Sequence, residues 1–238
     1  MNTRPAFSLF FPFCNEEQLL PIAVREALQA LEPLHGDFEI ILVDDGSSDG
    51  SRAIAERFCR EHSEIRLVGH STNLGYGAVL RTGFRAARGD IVAYSDVDLP
   101  APLHNFVDAL PLLDEADLVV GYPTGVTKPI HRHIYTWGYG RMVRALLELR
   151  VRDVNFSFKL VRRSLLEELD LGAETGFIDA QLLAEARARG GRRIEIPIPF
   201  QPRRAGRSHF DSPVTAWKTG AELIRYWKAK REPRTKSV

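Results

Sequence analysis

The residues able to do chemistry in this chain of 238 gather directly behind two short apolar runs. Behind Ile91-Val92-Ala93-Tyr94-Ser95 comes Asp96-Val97-Asp98-Leu99-Pro100. In extended chain, residues two apart share a face, so Asp96 and Asp98 present both carboxylates to one point. Converging oxygens suit a hard divalent cation, Mg²⁺ or Mn²⁺, which clamps a substrate diphosphate in turn. Behind Ile40-Ile41-Leu42-Val43 comes Asp44-Asp45-Gly46-Ser47-Ser48-Asp49-Gly50. One reading is a turn and helix N-cap, positions that Ser and Asp favour. The other is a strand-end carboxylate that accepts hydrogen bonds from a nucleotide's base or ribose, because adjacent Asp residues there are costly without a polar ligand or solvent.

The elements that must position these groups follow from the hydrophobic pattern. Phe7 to Phe13 and Phe38 to Asp44 read as strands, the second too continuously apolar for a half-exposed edge. Between them, Asn15-x-x-Gln18 reads as a capping box before a helix carrying Leu19, Leu20, Ile22, Ala23, Ala27 and Leu28. Helices are expected from Ser51 to His62 and from Tyr76 to Ala87, and strands at Ile65–Val68 and Ile91–Ser95. Pro123, Gly125 and Pro129 then mark a loop. After it a helix (Tyr135–Leu149), a strand (Asn155–Val161), a helix (Asp179–Arg189), a strand (Arg193–Pro199) and a last helix (Val214–Lys230) are expected. The alternation predicts an α/β fold with a Rossmann-like, mostly parallel central sheet flanked by helices, and ligands at the carboxyl ends of its strands.

Composition narrows the function. With 32 Lys+Arg against 31 Asp+Glu, no bulk basic excess supports nucleic-acid binding. Two cysteines, without a CxxC pair or a signal-peptide start, suggest neither a disulfide framework nor a zinc ribbon and favour a cytoplasmic setting. No run reaches the roughly 18 apolar residues of a membrane span. The position after the first strand holds Pro12-Phe13-Cys14-Asn15-Glu16 rather than G-x-G-x-x-G, and no G-x-x-x-x-G-K-[ST] loop occurs. A parallel sheet without either glycine loop, but with Asp-rich strand ends, points to nucleotide binding through a metal.

Taken together, the motifs resemble family 2 glycosyltransferases of the GT-A fold, and within them the polyprenyl-phosphate (dolichyl-phosphate) mannosyl- and glucosyltransferases. The resemblance rests on Pro12-x-x-Asn15-Glu16, Val43-Asp44-Asp45-Gly46-Ser47-Ser48-Asp49-Gly50, Asn73-Leu74-Gly75-Tyr76-Gly77-Ala78 and Asp96-Val97-Asp98. It continues through Asp153 to Arg163, Pro197-Ile198-Pro199-Phe200 and Arg203-x-x-Gly206-x-Ser208, so it spans roughly residues 7 to 210. It implies a GT-A domain over 1–212, followed by a helix and basic tail over 213–238. It also implies nucleotide-sugar contacts at Pro12, Glu16, Val43, Asp45 and Val97, a Mg²⁺ or Mn²⁺ and diphosphate site at Asp96 and Asp98, and Arg203 on the donor phosphates. His209, in the place of a usual lysine, joins the donor set. The family pattern is broken at Cys14 (usually Tyr), Pro100 (usually polar), Pro123 (usually Arg) and Phe156 (usually Gly), with Arg132, Arg141, Arg204 and Arg207 as alternative sources of charge.

Arg132, Ser157, Lys159 and Ser208 are candidates for acceptor or phosphate binding. For Lys159, Arg162 and Arg163 a solvated strand face is an equal alternative. His131 and His133 read as solvated rather than as metal ligands, and Asp179 as a helix N-terminal charge. The last helix mixes Trp217, Leu223, Ile224, Tyr226 and Trp227 with Lys218, Arg225, Lys228 and Lys230, which suits either an interfacial membrane helix or a domain-closing one. The resulting expectation is an inverting transfer of a hexose from GDP-mannose or UDP-glucose type donors to a polyprenyl phosphate at the cytoplasmic face of a membrane, with room for a membrane-embedded partner subunit. A soluble-acceptor transferase and a non-catalytic nucleotide-sugar binder are the alternatives.

Overall fold

The computed structural model describes residues 5–125, 130–205 and 213–231, with the side chains of 130–137 and 213 outside that description. Seven strands form one sheet: β1 (Phe7–Phe13), β2 (Phe38–Asp45), β3 (Ile65–His70), β4 (Ile91–Tyr94), β5 (Leu118–Thr124), β6 (Lys159–Arg162) and β7 (Arg193–Pro199). Their order is β3-β2-β1-β4-β6-β5-β7, and only β6 runs antiparallel to its neighbours. The chain therefore starts at β1, moves outward to β3 and returns on the other side of β1 as β4. The carboxyl ends of β1 and β4 thus flank a topological switch point, where open α/β sheets bind ligands.

The apolar runs are continuous because both faces of the sheet are covered. Phe7, Leu9, Phe11 and Phe13 pack into one layer with α1 (Leu20–Leu31), α2 (Ser51–Glu61) and α4 (His104–Asp108). Phe10, Ile41 and Val43 point into the other, with α3 (Tyr76–Ala86), α5 (Ile130–Leu147), α6 (Arg163–Leu166), α7 (Phe177–Ala188) and α8 (Pro213–Arg231). Strand residues alternate between faces, so a nearly continuous apolar run fills both layers.

Three local expectations change. The capping box does not form. Helix α1 begins at Leu20 with no side-chain cap and is started by Pro21 in its first turn. Asn15 instead takes a left-handed φ of 57°, and its Oδ1 accepts the N–H groups of Ser48 at 2.7 Å and Asp49 at 3.3 Å. It ties the loops after β1 and β2 together, a use of the short amide that tolerates this conformation. The loop expected at Pro123 is the end of β5. Gly121 N–H donates to Phe158 of the β6 side, so Pro123, two residues on, lacks its N–H where β6 no longer pairs. The strand expected from Asn155 starts only at Lys159, because Asp153 Oδ1 accepts the N–H groups of Asn155 and Phe156 and makes a turn there.

Candidate active site

The Asp96–Asp98 loop leaves β4 at the switch point. Ser95 N–H still donates to Phe10 of β1, and Leu99 N–H closes a turn onto the Asp96 carbonyl at 3.0 Å. Leu99 is held at φ 52°. A left-handed leucine costs about 1–2 kcal/mol, and burial of its side chain in the α1 layer offsets that cost. The loop thus turns both carboxylates toward the crevice while Val97 and Leu99 anchor it in the core.

Asp96 is the deeper carboxylate. Burial and then the Asp98 charge push its pKa up to about 7, against the hydroxyls of Ser157 and Tyr76, which favour the charged form. Tyr76 donates to Asp96 Oδ1 at 3.1 Å. Arg203 closes the other side: Nη1 donates to Asp98 Oδ2 at 3.3 Å, and Nη2 to Glu16 at 2.6 and 2.5 Å. Burial alone would lower the Arg203 pKa, but Glu16 and Asp98 raise it further, so the cation is firmly charged. Arg203 reaches the site because Phe200 N–H donates to Thr124 and Gln201 N–H to Pro100, which pins this segment to the carboxylate loop. The structure thus brings Asp96, Asp98, Glu16 and Arg203 together.

Several of the other expected residues are bonded to groups of the protein itself in this structure. For the acidic pair at the end of β2, read either as a turn and cap or as a nucleotide-binding carboxylate, the partners seen in this structure come from the protein. Asp44 accepts from Ser47 N–H and Arg52; Asp45 accepts from the N–H groups of Leu74 at 2.8 Å and Gly75 at 2.9 Å, with His70 Nδ1 at 2.7 Å. Pro12 and Val43 are buried in adjacent strands. Lys159, expected as a phosphate contact or a solvated cation, is neither, being 1% exposed. Its Nζ donates to Asp179 at 2.7 Å, to the Phe156 carbonyl at 2.8 Å and to Tyr94 at 3.0 Å, which uses all three protons. Asp179, expected as a helix N-terminal charge, does sit in the first turn of α7 and is also the buried partner of Lys159, with Tyr94 donating to it as well. Ser157 is buried beneath Asp96 rather than open to an acceptor.

Among the described residues, Arg162, Arg163 and Arg204 are also engaged by the protein. Arg162 bonds the carbonyls of Leu113 and Ala116, and Arg163 those of Gly89 and Ala87. Arg204 pairs with Glu26. Cys14 receives a hydrogen bond from Asn73 and has its pKa raised by burial. Arg207, Ser208, His209 and the side chains of Arg132, His131 and His133 lie outside the described residues. Tyr76 and Tyr94 were inside quoted motifs but carried no assigned role; their hydroxyl contacts become visible only once α3, β4 and α7 are packed.

Hard oxygen donors on one short loop fit Mg²⁺ or Mn²⁺, which keep several waters and take one or two protein carboxylates besides substrate phosphates. Among the described residues no group of three or more His, Cys, Asp or Glu side chains forms an all-protein metal cage. The arrangement can hold a cation through two carboxylates, with a guanidinium beside it for a second anionic group.

The sequence profile of Glycosyl transferase family 2 matches residues 8–170. Glycosyltransferase AglD of Haloferax volcanii is 30% identical over 230 residues, covering 92% of this chain and 36% of AglD. Dodecaprenyl-phosphate galacturonate synthase of Rhizobium johnstonii is 30% identical over 172 residues, 70% of this chain and 51% of that protein. The chain thus spans about a third to a half of these relatives. Among solved structures, glucosyl-3-phosphoglycerate synthase of Mycobacterium tuberculosis with phosphoglyceric acid superposes with a TM-score of 0.73 at 24% identity, covering 94% of this chain and 80% of that one. The same enzyme with Mn²⁺ and UDP-glucose gives 0.71 at 23%, covering 94% and 79%. That likeness establishes the GT-A arrangement of the sheet, and with the profile match it places the chain in glycosyl transferase family 2.

Proposed function

We propose that this chain is an inverting, metal-dependent hexosyltransferase that takes its sugar from a nucleoside diphosphate of the GDP-mannose or UDP-glucose type and delivers it to a polyprenyl phosphate. The observation that carries this reading is the pair Asp96 and Asp98 at the β1/β4 switch point with Arg203 beside it. Mg²⁺ or Mn²⁺ bound by those carboxylates supplies a Lewis acid for the departing diphosphate. Arg203 offsets further charge on the same group, and the buried β4 loop holds both in place without reorganisation. An oxygen of the acceptor phosphate forms the bond to the anomeric carbon as the bond to the diphosphate breaks, and one displacement inverts that carbon. Because the acceptor is already an anion, no side chain has to remove a proton.

The lipid acceptor is supported by the names of relatives that act on polyprenyl phosphates, dodecaprenyl-phosphate galacturonate synthase and undecaprenyl-phosphate 4-deoxy-4-formamido-L-arabinose transferase. The outer face of α8 suits such a setting. Val214, Trp217 and Ile224 are exposed at helical spacing opposite buried Leu223, with Lys218, Arg225 and Lys228 beside them. No described helix is long and apolar enough to cross a membrane. We place the enzyme peripherally on the cytoplasmic face.

The test is incubation with a panel of radiolabelled nucleotide sugars and polyprenyl phosphate, followed by organic extraction. Label in an extractable lipid is expected. Label only in a water-soluble product would assign a soluble acceptor, and donor binding without transfer would assign a binding protein.

A further inference from the structure

Each nitrogen of the Arg203 guanidinium in this structure donates to the protein itself. Nη2 holds both oxygens of Glu16, Nη1 reaches Asp98 Oδ2 at 3.3 Å, and Nε donates to the Ala205 carbonyl at 2.6 Å. A cation therefore sits on the carboxylate that the proposed chemistry assigns to a different cation. Glu16 is firmly mounted for its part. Its N–H donates to Ser51 at the start of α2, and its carbonyl accepts from Leu19 and Leu20 at the start of α1. The Arg203 segment is tied through Gln201 to Pro100, two residues from Asp98.

We infer that Arg203 and the divalent cation are alternative partners of Asp98, with Glu16 as the positioning residue that parks the guanidinium. This rests on the reading of Asp96 and Asp98 as the metal site. In the donor-free chain the guanidinium supplies the counter-charge that Asp98 needs. A doubly charged ion at Asp98 and a guanidinium at hydrogen-bond distance from the same oxygen repel each other, so one displaces the other. A diphosphate arriving with the ion gives Arg203 a new anionic partner. Metal and nucleoside diphosphate must then bind with positive coupling, each strengthening the other by the same factor. In the donor-free chain Glu16 acts through Arg203.

The experiment is titration of the donor-free 238-residue chain with Mn²⁺, followed by electron paramagnetic resonance of the free ion, alone and with UDP or GDP. Arg203→Gln removes the competing charge and should tighten Mn²⁺ binding without nucleotide roughly tenfold, while weakening the coupling to the diphosphate. Glu16→Gln leaves Asp98 as the one carboxylate on the guanidinium and should weaken Mn²⁺ binding, the opposite sign. Arg204→Gln, the neighbouring cation paired with Glu26, is the control and should change little. Arg203→Gln or Glu16→Gln within twofold of a parent that does bind Mn²⁺ would refute the exchange and leave the metal site standing. A parent that binds no Mn²⁺, with or without nucleotide, would remove the metal site and the exchange with it. Should Arg203→Gln fail to fold, the sign of the Glu16→Gln change decides the question.

Discussion

Replacement of Lys159 by methionine removes one charge from a buried ion pair and keeps most of the side-chain volume. Lys159 is 1% and Asp179 2% exposed, so the aspartate left behind has no solvent to turn to. Deleting one partner of such a pair costs about 3–5 kcal/mol, and the Phe156 carbonyl loses its ammonium donor as well. For a domain of this size each kcal/mol moves Tm by about 2–4 °C, so a drop of about 6–20 °C is expected. Urea unfolding at constant m, with thermal circular dichroism beside it, measures the loss directly. Lys159→Met/Asp179→Leu removes both charges and should recover much of the stability, because apolar replacements of buried pairs are often neutral. A single variant within about 1 kcal/mol of the parent would mean that Lys159 behaves as the solvated strand-face cation of the sequence reading, and a double variant no better than the single one would refute the ion-pair explanation.

Further outcomes are expected. Asp98→Asn should lower transfer by roughly a hundredfold or more, and chelation of divalent ions should do the same to the parent; turnover that survives either change contradicts the metal assignment. Gly77→Ala places a Cβ 2.3 Å from the Ala173 carbonyl oxygen and 2.5 Å from Glu174 backbone carbon, which should cost about 1–3 kcal/mol in urea unfolding. Burial raises the Glu185 carboxyl pKa, but Lys230, Tyr226 and Arg189 outweigh it and hold the value below the ordinary 4.5. Its contribution is therefore present above the ordinary pKa and lost as pH falls through the depressed one, so Glu185→Gln should flatten the acid limb of stability against pH. Trp217→Ser with Ile224→Ser should reduce co-sedimentation with anionic vesicles and leave Tm within about 2 °C, since both side chains are exposed.

What the sequence made legible was local. Strands β1 and β2 run almost continuously apolar because both faces are covered, and the D-x-D spacing needs only the geometry of three consecutive residues. What stayed hidden depends on partners far along the chain. Asn15 and Gln18 have a helix-start spacing, yet Asn15 is claimed by backbone N–H groups more than thirty residues away. Lys159 lies between Phe158 and Leu160, and nothing local says which face is buried. That is decided when β6 is inserted between β4 and β5, where Lys159 pairs with Tyr94 and meets Asp179 on α7. The loop expected from Pro123 overlaps the last two residues of β5, because the sequence does not show where the neighbouring strand stops pairing.

The two acidic strand ends look alike as motifs, but their hydrogen bonds divide the work between them. Asp44 and Asp45 are met by backbone N–H groups, an arginine and a histidine of their own chain. Asp96 is met by the Tyr76 hydroxyl and pushed toward neutrality by burial and by Asp98. A carboxylate whose lone pairs are already used has little to offer a ligand, whereas one held in a costly charged state beside a like charge favours any cation that can reach it. Yet Asp45 still acts on the site. By holding the N–H groups of Leu74 and Gly75 it fixes the residue before Tyr76, the first of α3, whose hydroxyl reaches Asp96. The first acidic pair thus builds the support from which the second is aimed, and the tight approach of Gly77 to the Ala173–Glu174 backbone holds that support against the chain leading into α7.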